Sequence, residues 1–346
     1  MPGIRIICLA AKKNYLFKAL ACLLAGIFLL AMISQPRLVF NGALRGLDIW
    51  WTLVFPSLLP FFIISELLLV LGIVRFMGVL LEPLMRPWFN LPGGAALVFC
   101  LGFTSGAPLA AMLTARLRQE GEISRAEGER LLSFTNNASP LFILVAVAVG
   151  MLKEPQAGLS VGFLMRFYGG SSSLSLPPGK GGLWLRACRE LAASWREEQR
   201  PLGRILGDIV QNSVKSLLYI GGFIIIFAVL IQLLSENGFI EFGAEILAWV
   251  LAPLQFSPEV LQALSAGFWE MTLGCQMAAG SETALTEKLM AISLILGWSG
   301  LSVQSQIAGF IGRTDLRFGV LVMSRMVQAV LAVVYLWLLG FFFQAA

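Results

Sequence analysis

A chain that stays apolar over long stretches can satisfy its backbone in oil only as helices or as a closed barrel. Two short polar runs in this chain sit inside such stretches, at matching places in its two halves. Thr135-Asn136-Asn137-Ala138-Ser139-Pro140 interrupts the first, and Trp298-Ser299-Gly300-Leu301-Ser302 interrupts the second. Hydroxyls and amides at membrane depth need a cavity or a neighbouring helix to bond to. Paired breaks of this kind point to a solute site at the interface of an internal repeat.

Of the 346 residues, 58% are hydrophobic and 13% charged, whereas soluble domains carry about 25% charged residues. The apolar runs are continuous rather than alternating. The expected fold is therefore an all-α polytopic membrane helix bundle, with the lipid bilayer as its first partner. The net charge of +5 reads as topology, because the basic residues lie in loops at membrane ends. No aromatic-interleaved basic patch appears, so no nucleic-acid partner is expected.

The absence of histidine removes imidazole relays, imidazole metal sites and Ser-His catalysis together. Cys8, Cys22, Cys100, Cys188 and Cys275 are scattered, which suggests neither a disulfide framework nor a thiolate metal centre. No glycine-rich loop ends in Lys-Ser/Thr, so a GTPase activity is not expected. No paired carboxylates converge. The reading is a protein that is not an enzyme, with no cofactor and no metal; a homo-oligomer is compatible with it.

Along the chain, Tyr15–Ile33 reads as a retained transmembrane helix, followed by a turn at Ser34–Asn41. Leu47–Ile73 spans, with a kink expected from Pro56 and Pro60. Gly72–Asn90 is amphipathic and interfacial. Ala95–Leu117 is cut between Gly102 and Pro108 and reads as a re-entrant helical hairpin. Ser124 and Glu127 stand at capping-box spacing before Ala126–Leu152, which carries the first polar break. A Gly/Ser/Pro-rich linker leads to an amphipathic helix at Leu183–Arg200. Asp208–Leu234 spans, Ser235–Ser257 is interfacial, Pro258–Gly280 is a second hairpin, Glu287–Gly312 carries the second break, and Phe318–Phe343 closes the chain.

Landmarks recur at an offset of roughly 160–170 residues. Asp48 answers Asp208, Phe61 answers Phe223, Gly72 answers Gly238, Pro92 answers Pro258, and Gly102-Phe103 answers Gly267-Phe268. Lys/Arg excess marks cytoplasmic loops. Arg75, Arg86, Arg116, Arg118, Arg125 and Arg130 surround the first hairpin, whereas Glu236, Glu241 and Glu245 occupy the matching stretch of the second half. The two halves are therefore expected to be inverted: the first hairpin enters from the cytoplasm, the second from outside. The expected divisions are 1–38 for the first helix and turn, 39–168 for one repeat, 169–204 for a basic cytoplasmic linker, and 205–346 for the second repeat. Only about a dozen apolar residues, Ala157–Tyr168, stand where the second half has its last full helix.

The runs Phe55-Pro56-Ser57-Leu58-Leu59-Pro60-Phe61-Phe62, Glu82-Pro83-Leu84-Met85-Arg86-Pro87, Gly102 to Pro108, Leu113-Thr114-Ala115-Arg116-Leu117-Arg118 and Leu131-Leu132-Ser133-Phe134-Thr135-Asn136-Asn137 resemble the sporulation integral membrane protein YlbJ family. The similarity covers about residues 40–345. It implies a nucleoside-recognition, or Gate-type, domain akin to half of the concentrative nucleoside transporter scaffold. It also implies a role in spore cortex formation and a place in a bacterial membrane, such as the mother-cell-derived membrane around the forespore. The segment ahead of Phe163-Leu164-Met165-Arg166-Phe167-Tyr168 is shorter than the family usually shows.

The candidate solute-binding residues follow from the breaks. Thr135, Asn136, Asn137 and Ser139 can donate and accept hydrogen bonds. Thr104, Ser105 and Gly106 at the first hairpin tip can present backbone N–H groups, as half-helix termini do. Glu270 occupies the second hairpin tip, where an intramembrane carboxylate suggests a cation or proton site. Ser299 and Ser302 belong to the second break. Each set has a plainer reading as kink or turn chemistry. The leading expectation is a secondary-transporter-like carrier of a small polar solute or ion. The alternative is a non-transporting scaffold for spore-envelope assembly, with Leu183–Arg200 as a docking surface.

Overall fold

The computed structural model describes residues 2–92, 95–154, 183–197 and 200–344. The described residues fold as helices joined by short turns, with no strand among them. The segment Ala157–Tyr168 lies outside the described residues.

Helix α1 (Pro2–Ser34) leads into α2 (Pro36–Ile49) with only Gln35 between them. The turn expected over Ser34–Asn41 is thus a single residue, because proline fits the first turn of a helix and Pro36 starts α2 at once. The second span begins earlier than expected and runs from Pro36 to Leu68. The kink expected from Pro56 and Pro60 takes the form of a π-helical turn at Trp50–Val54 just ahead of α3 (Phe55–Val70). A widened turn absorbs the backbone mismatch that prolines without N–H groups create.

Helix α4 (Ile73–Phe89) is amphipathic, and α5 (Ala95–Ser105) and α6 (Ala107–Gln119) form the first hairpin about Gly106. Helix α7 (Arg125–Thr135) opens with the expected capping box: Ser124 N donates to Glu127 and Glu127 N donates to Ser124 Oγ. After the break, the chain resumes as a π-helix at Phe142–Met151. Helix α8 (Leu183–Glu197) packs on α4, where Trp195 Nε1 donates to the Leu71 carbonyl at 2.9 Å.

The second half follows the same order: α9 (Leu202–Glu236), α10 (Phe239–Val250), the hairpin α11 (Pro258–Trp269) and α12 (Met271–Gly280), the broken helix α13 (Leu285–Trp298) and α14 (Gly300–Ile311), and α15 (Phe318–Gln344). Both hairpins close on small residues at matching positions. A Cβ on Gly102 would meet Ala110 Cβ at 2.8 Å, and one on Gly274 would meet Gly267 Cα at 2.3 Å.

The halves interlock by exchange. The first hairpin's α6 packs on α14, and the second hairpin's α12 packs on the π-helix Phe142–Met151. The long span of each half, α2–α3 and α9, cross one another. Gly42 and Gly46 lie against Val229 and Ala228 there, a small-residue stripe that lets backbones approach closely. Trp50 fills the space left by Gly221 and donates from Nε1 to the Leu217 carbonyl at 3.0 Å. The main core gathers residues of α3, α9 and the second-half helices around this crossing.

The ion pairs fix the relative sense of the halves. The loop after α14 binds the start of α7 and the end of α6: Arg317 grips Glu129 with 2.9 and 2.7 Å contacts, and Arg118 grips Asp315 with 2.8 and 3.0 Å contacts. The start of α13 lies at the other end of the 27-residue run Leu285–Ile311. There, Glu287 accepts from Ser257 N at 2.6 Å and Lys288 donates to the Ala279 carbonyl at 3.0 Å. The corresponding helix starts, α7 and α13, are thus at opposite ends of the bundle, as an inverted repeat requires.

Candidate functional site

Four interruptions of helix, two from each half, meet at one buried cavity. Gly106 separates the arms of the first hairpin with φ +88°, ψ −170°, a conformation open essentially to glycine alone. Asn136 to Ser139 separate α7 from the π-helix. Glu270 separates the arms of the second hairpin in an extended conformation, φ −141°, ψ 119°. Ser299, left-handed at φ 69°, separates α13 from α14. The cavity has a volume of about 60 Å³ and is partly open on one side.

Of the residues singled out from sequence, Gly106, Asn137, Ser139, Glu270 and Ser299 line this cavity, joined by Thr272 and Gln306. The remaining wall is apolar: Val54, Leu58 and Phe62 from the α3 side, Ile220 and Ile224 from α9, and Phe142. Thr135, Asn136 and Ser302 are buried beside the cavity rather than in its wall. Thr135 Oγ1 and Asn136 Nδ2 turn back to the Leu131 and Leu132 carbonyls, both at 2.7 Å, so they close the end of α7. The Ser302 hydroxyl has no partner among the described residues. Thr104 and Ser105 end α5 next to Gly106, and their side chains lie outside the described residues.

Local chemistry explains each interruption. Ser139 Oγ accepts from Phe142 N at 3.1 Å, a side-chain cap on the restarting helix. Glu270 caps α12, taking Leu273 N at 2.7 Å on one oxygen and Thr272 Oγ1 at 3.1 Å on the other. A carboxylate at a helix N-terminus is stabilised by the aligned peptide dipoles. Glu270 is 1% exposed. Ser299 Oγ donates to the Leu296 carbonyl at 3.1 Å, and Gln304 Nε2 donates to the Trp298 carbonyl at 3.0 Å across the second break.

Arg325 is the residue that sequence reading missed. It lies on α15, is 0% exposed, and donates to the Asn136 carbonyl at 2.8 Å, to Asn137 Oδ1 at 2.6 Å and to the Ser133 carbonyl. It thereby satisfies the carbonyl end of α7, where cations are favoured. Its signal was present: a single arginine well inside a 27-residue apolar helix is a functional-site marker by default. Gln306, in the stretch that extends the second break, reads from sequence equally as a cross-helix hydrogen bonder or as a solute contact. It lies in the wall of this cavity, and its buried Oε1 has no partner among the described residues.

At the basic end of the bundle, the hydrogen bonds from Arg317 hold the Glu129 carboxyl down to about 2, below the ordinary 4.5, with Arg125 adding to the effect and burial opposing it. Asp315 is lowered by its pairing with Arg118. Among the described residues no cluster of His, Cys, Asp and Glu could hold a metal ion.

The sequence matches the family model described as Gate, nucleoside recognition, over residues 51–154 and 217–315, one stretch in each half. This defines a membrane protein of the Gate class. The chain is also 43% identical over 339 residues to the sporulation integral membrane protein YlbJ of Bacillus subtilis (strain 168), covering 92% of this chain and 82% of that relative. It belongs to the sporulation integral membrane protein YlbJ family. No solved structure gives a significant match.

Proposed function

We propose that this protein is a secondary-transporter-like carrier of a small polar solute, working in spore formation and serving the building of the spore cortex. One observation carries the reading: interruptions from both inverted halves converge on a buried cavity with a carboxylate, an amide and hydroxyls in its wall. Irregular backbone in oil is tolerated where it lines such a space. Carriers with inverted repeats bind at this place and alternate access by rocking one unit against the other. Here the Arg118–Asp315 and Arg317–Glu129 pairs join the halves at the basic end, so they would part when that end opens. By the excess of basic residues that end faces the cytoplasm. The mother-cell-derived membrane around the forespore is the proposed location. No bond is made or broken in this scheme.

The scaffold alternative draws less support. Helix α8, its expected docking surface, is already seated on α4, with Ser194 against Gly72.

Purified protein in proteoliposomes tests the reading, assayed with a panel of labelled amines, amino acids and nucleosides. A carrier accumulates or exchanges at least one of them, and Asn137→Leu or Glu270→Gln abolishes that flux. Flux that is identical in both variants removes the site. A spore-cortex defect rescued by a transport-dead but folded variant supports the scaffold instead.

A further inference from the structure

The cavity has a polar side and an apolar side, and the polar side is rich in acceptors. Glu270 accepts from Thr272 Oγ1, from Leu273 N and from the Thr272 backbone N–H, whereas a carboxylate offers about four acceptor positions. Among the described residues no lysine or arginine pairs with it. The N-terminus of α12 supplies only about half a positive charge. The Nη1 and Nη2 donors of Arg325 are directed at the carbonyls of Ser133 and Asn136 and at Asn137. Gln306 lies in the cavity wall, and its buried Oε1 has no partner among the described residues; a half-turn of the amide, which exchanges O and N, presents that acceptor to the cavity. Ser299 Oγ spends its hydrogen on Leu296 and keeps its lone pairs.

The opposite wall of Leu58, Phe62, Phe142 and Ile224 decides what kind of cation fits. A bare metal ion wants oxygen on every side, and half of that shell is hydrocarbon here. An ammonium group donates three hydrogen bonds in one hemisphere, and the phenyl faces suit its charge. Size narrows the choice further. The space is about 60 Å³, well under the engineered cavity of about 150 Å³ that takes up benzene. A nucleoside is larger than benzene and would need the cavity to widen.

We propose that the occupant is a small protonated amine of a few heavy atoms. Its ammonium group sits between Glu270 and Gln306, and its short stem lies against Leu58, Phe62 and Phe142. This rests on the cavity being the solute site. The test is thermal unfolding of the full-length protein in lipid nanodiscs, titrated with ethylammonium chloride. Sodium chloride, tetraethylammonium chloride and ethanol serve as matched controls. Ethylammonium should raise the midpoint saturably, and the controls should not. Glu270→Gln and Gln306→Leu should each weaken the effect roughly ten-fold or more, the size expected for losing a charged hydrogen bond. If Glu270→Gln does not fold, Gln306→Leu alone carries the comparison. The proposal is overturned if ethylammonium gives no shift, if the variants titrate like the natural protein, or if sodium or tetraethylammonium acts equally. Ethylammonium binding without flux in proteoliposomes would remove the carrier reading and keep the site. Flux of a neutral solute without ethylammonium binding would do the reverse.

Discussion

The two halves break their helices at the same places and repair them by different means. In the first half the interruption is long and polar. Four residues, Asn136 to Ser139, separate the helices, and a buried arginine from the other half holds them in shape. In the second half it is short and tight. Ser299 and Gly300 turn in the left-handed region, and Gly300 is pressed against the backbone of the hairpin tip of its own half. The hairpin tips differ likewise, a glycine in one half and a self-capping glutamate in the other. A duplicated scaffold thus supplies one wall that is charge-stapled and one that is sterically locked, and the cavity lies between them.

The largest effect should come from removing the staple. Arg325→Leu strands the Ser133 and Asn136 carbonyls in a dry interior, where each unsatisfied acceptor costs about 1–3 kcal/mol. The expected outcome is a drop of about 3 kcal/mol or more, read as a lower unfolding midpoint in nanodiscs. Arg325→Lys should recover part of it. An unchanged midpoint would mean the first break supports itself.

Next comes the lock. A Cβ on Gly300 would meet Met271 N at 2.8 Å, in a residue at φ +69°. Gly300→Ala should cost about 1–3 kcal/mol through strain and backbone displacement. At Gly106 the nearest neighbours of an added Cβ, Ser139 Cβ and N, are at 3.3 Å, so the cost of Gly106→Ala should come from its glycine-only backbone conformation, about 1–3 kcal/mol; an unchanged midpoint would contradict that reading.

The acid limb is a smaller, pH-dependent effect. Glu129 has a folded value near 2 against an ordinary 4.5. Its stabilising contribution is complete above about pH 4.5 and is lost as the pH falls toward 2. Glu129→Gln should flatten that part of the stability profile, and raised salt should weaken the exposed Arg118–Asp315 pair beside it. The smallest effect belongs to the surface helix. Trp195→Phe removes one exposed hydrogen bond to the Leu71 carbonyl and should shift the midpoint by less than about 1 kcal/mol.

The fold was legible because its constraints are local. Continuous apolar runs forced helices, Ser124 and Glu127 marked a helix start, and glycines at 102 and 267 marked the packed hairpins. The breaks at Asn136 and Ser299 were visible as polar residues where oil should be. What stayed hidden depends on contact between distant segments. Arg325 has meaning only through Asn136, almost two hundred positions away. Gln306 reads from sequence as a helix-bonding amide or a solute contact, and only the packing of the two halves puts it in the cavity wall. The turn expected before Asn41 was misplaced because Pro36 reads equally as a helix breaker or a helix starter.

Thiol accessibility across the bilayer tests the convergence of the two halves most directly. Ser139→Cys and Gln306→Cys, in a background with the native cysteines replaced, should both react with a small ammonium-bearing methanethiosulfonate in intact membranes, and Val330→Cys, which faces outward on α15, should not. Reaction at both cavity positions, with each slowed by the same solute, is the predicted result. Two cavity thiols as inert as the one at position 330 would contradict a shared wet pocket between the halves.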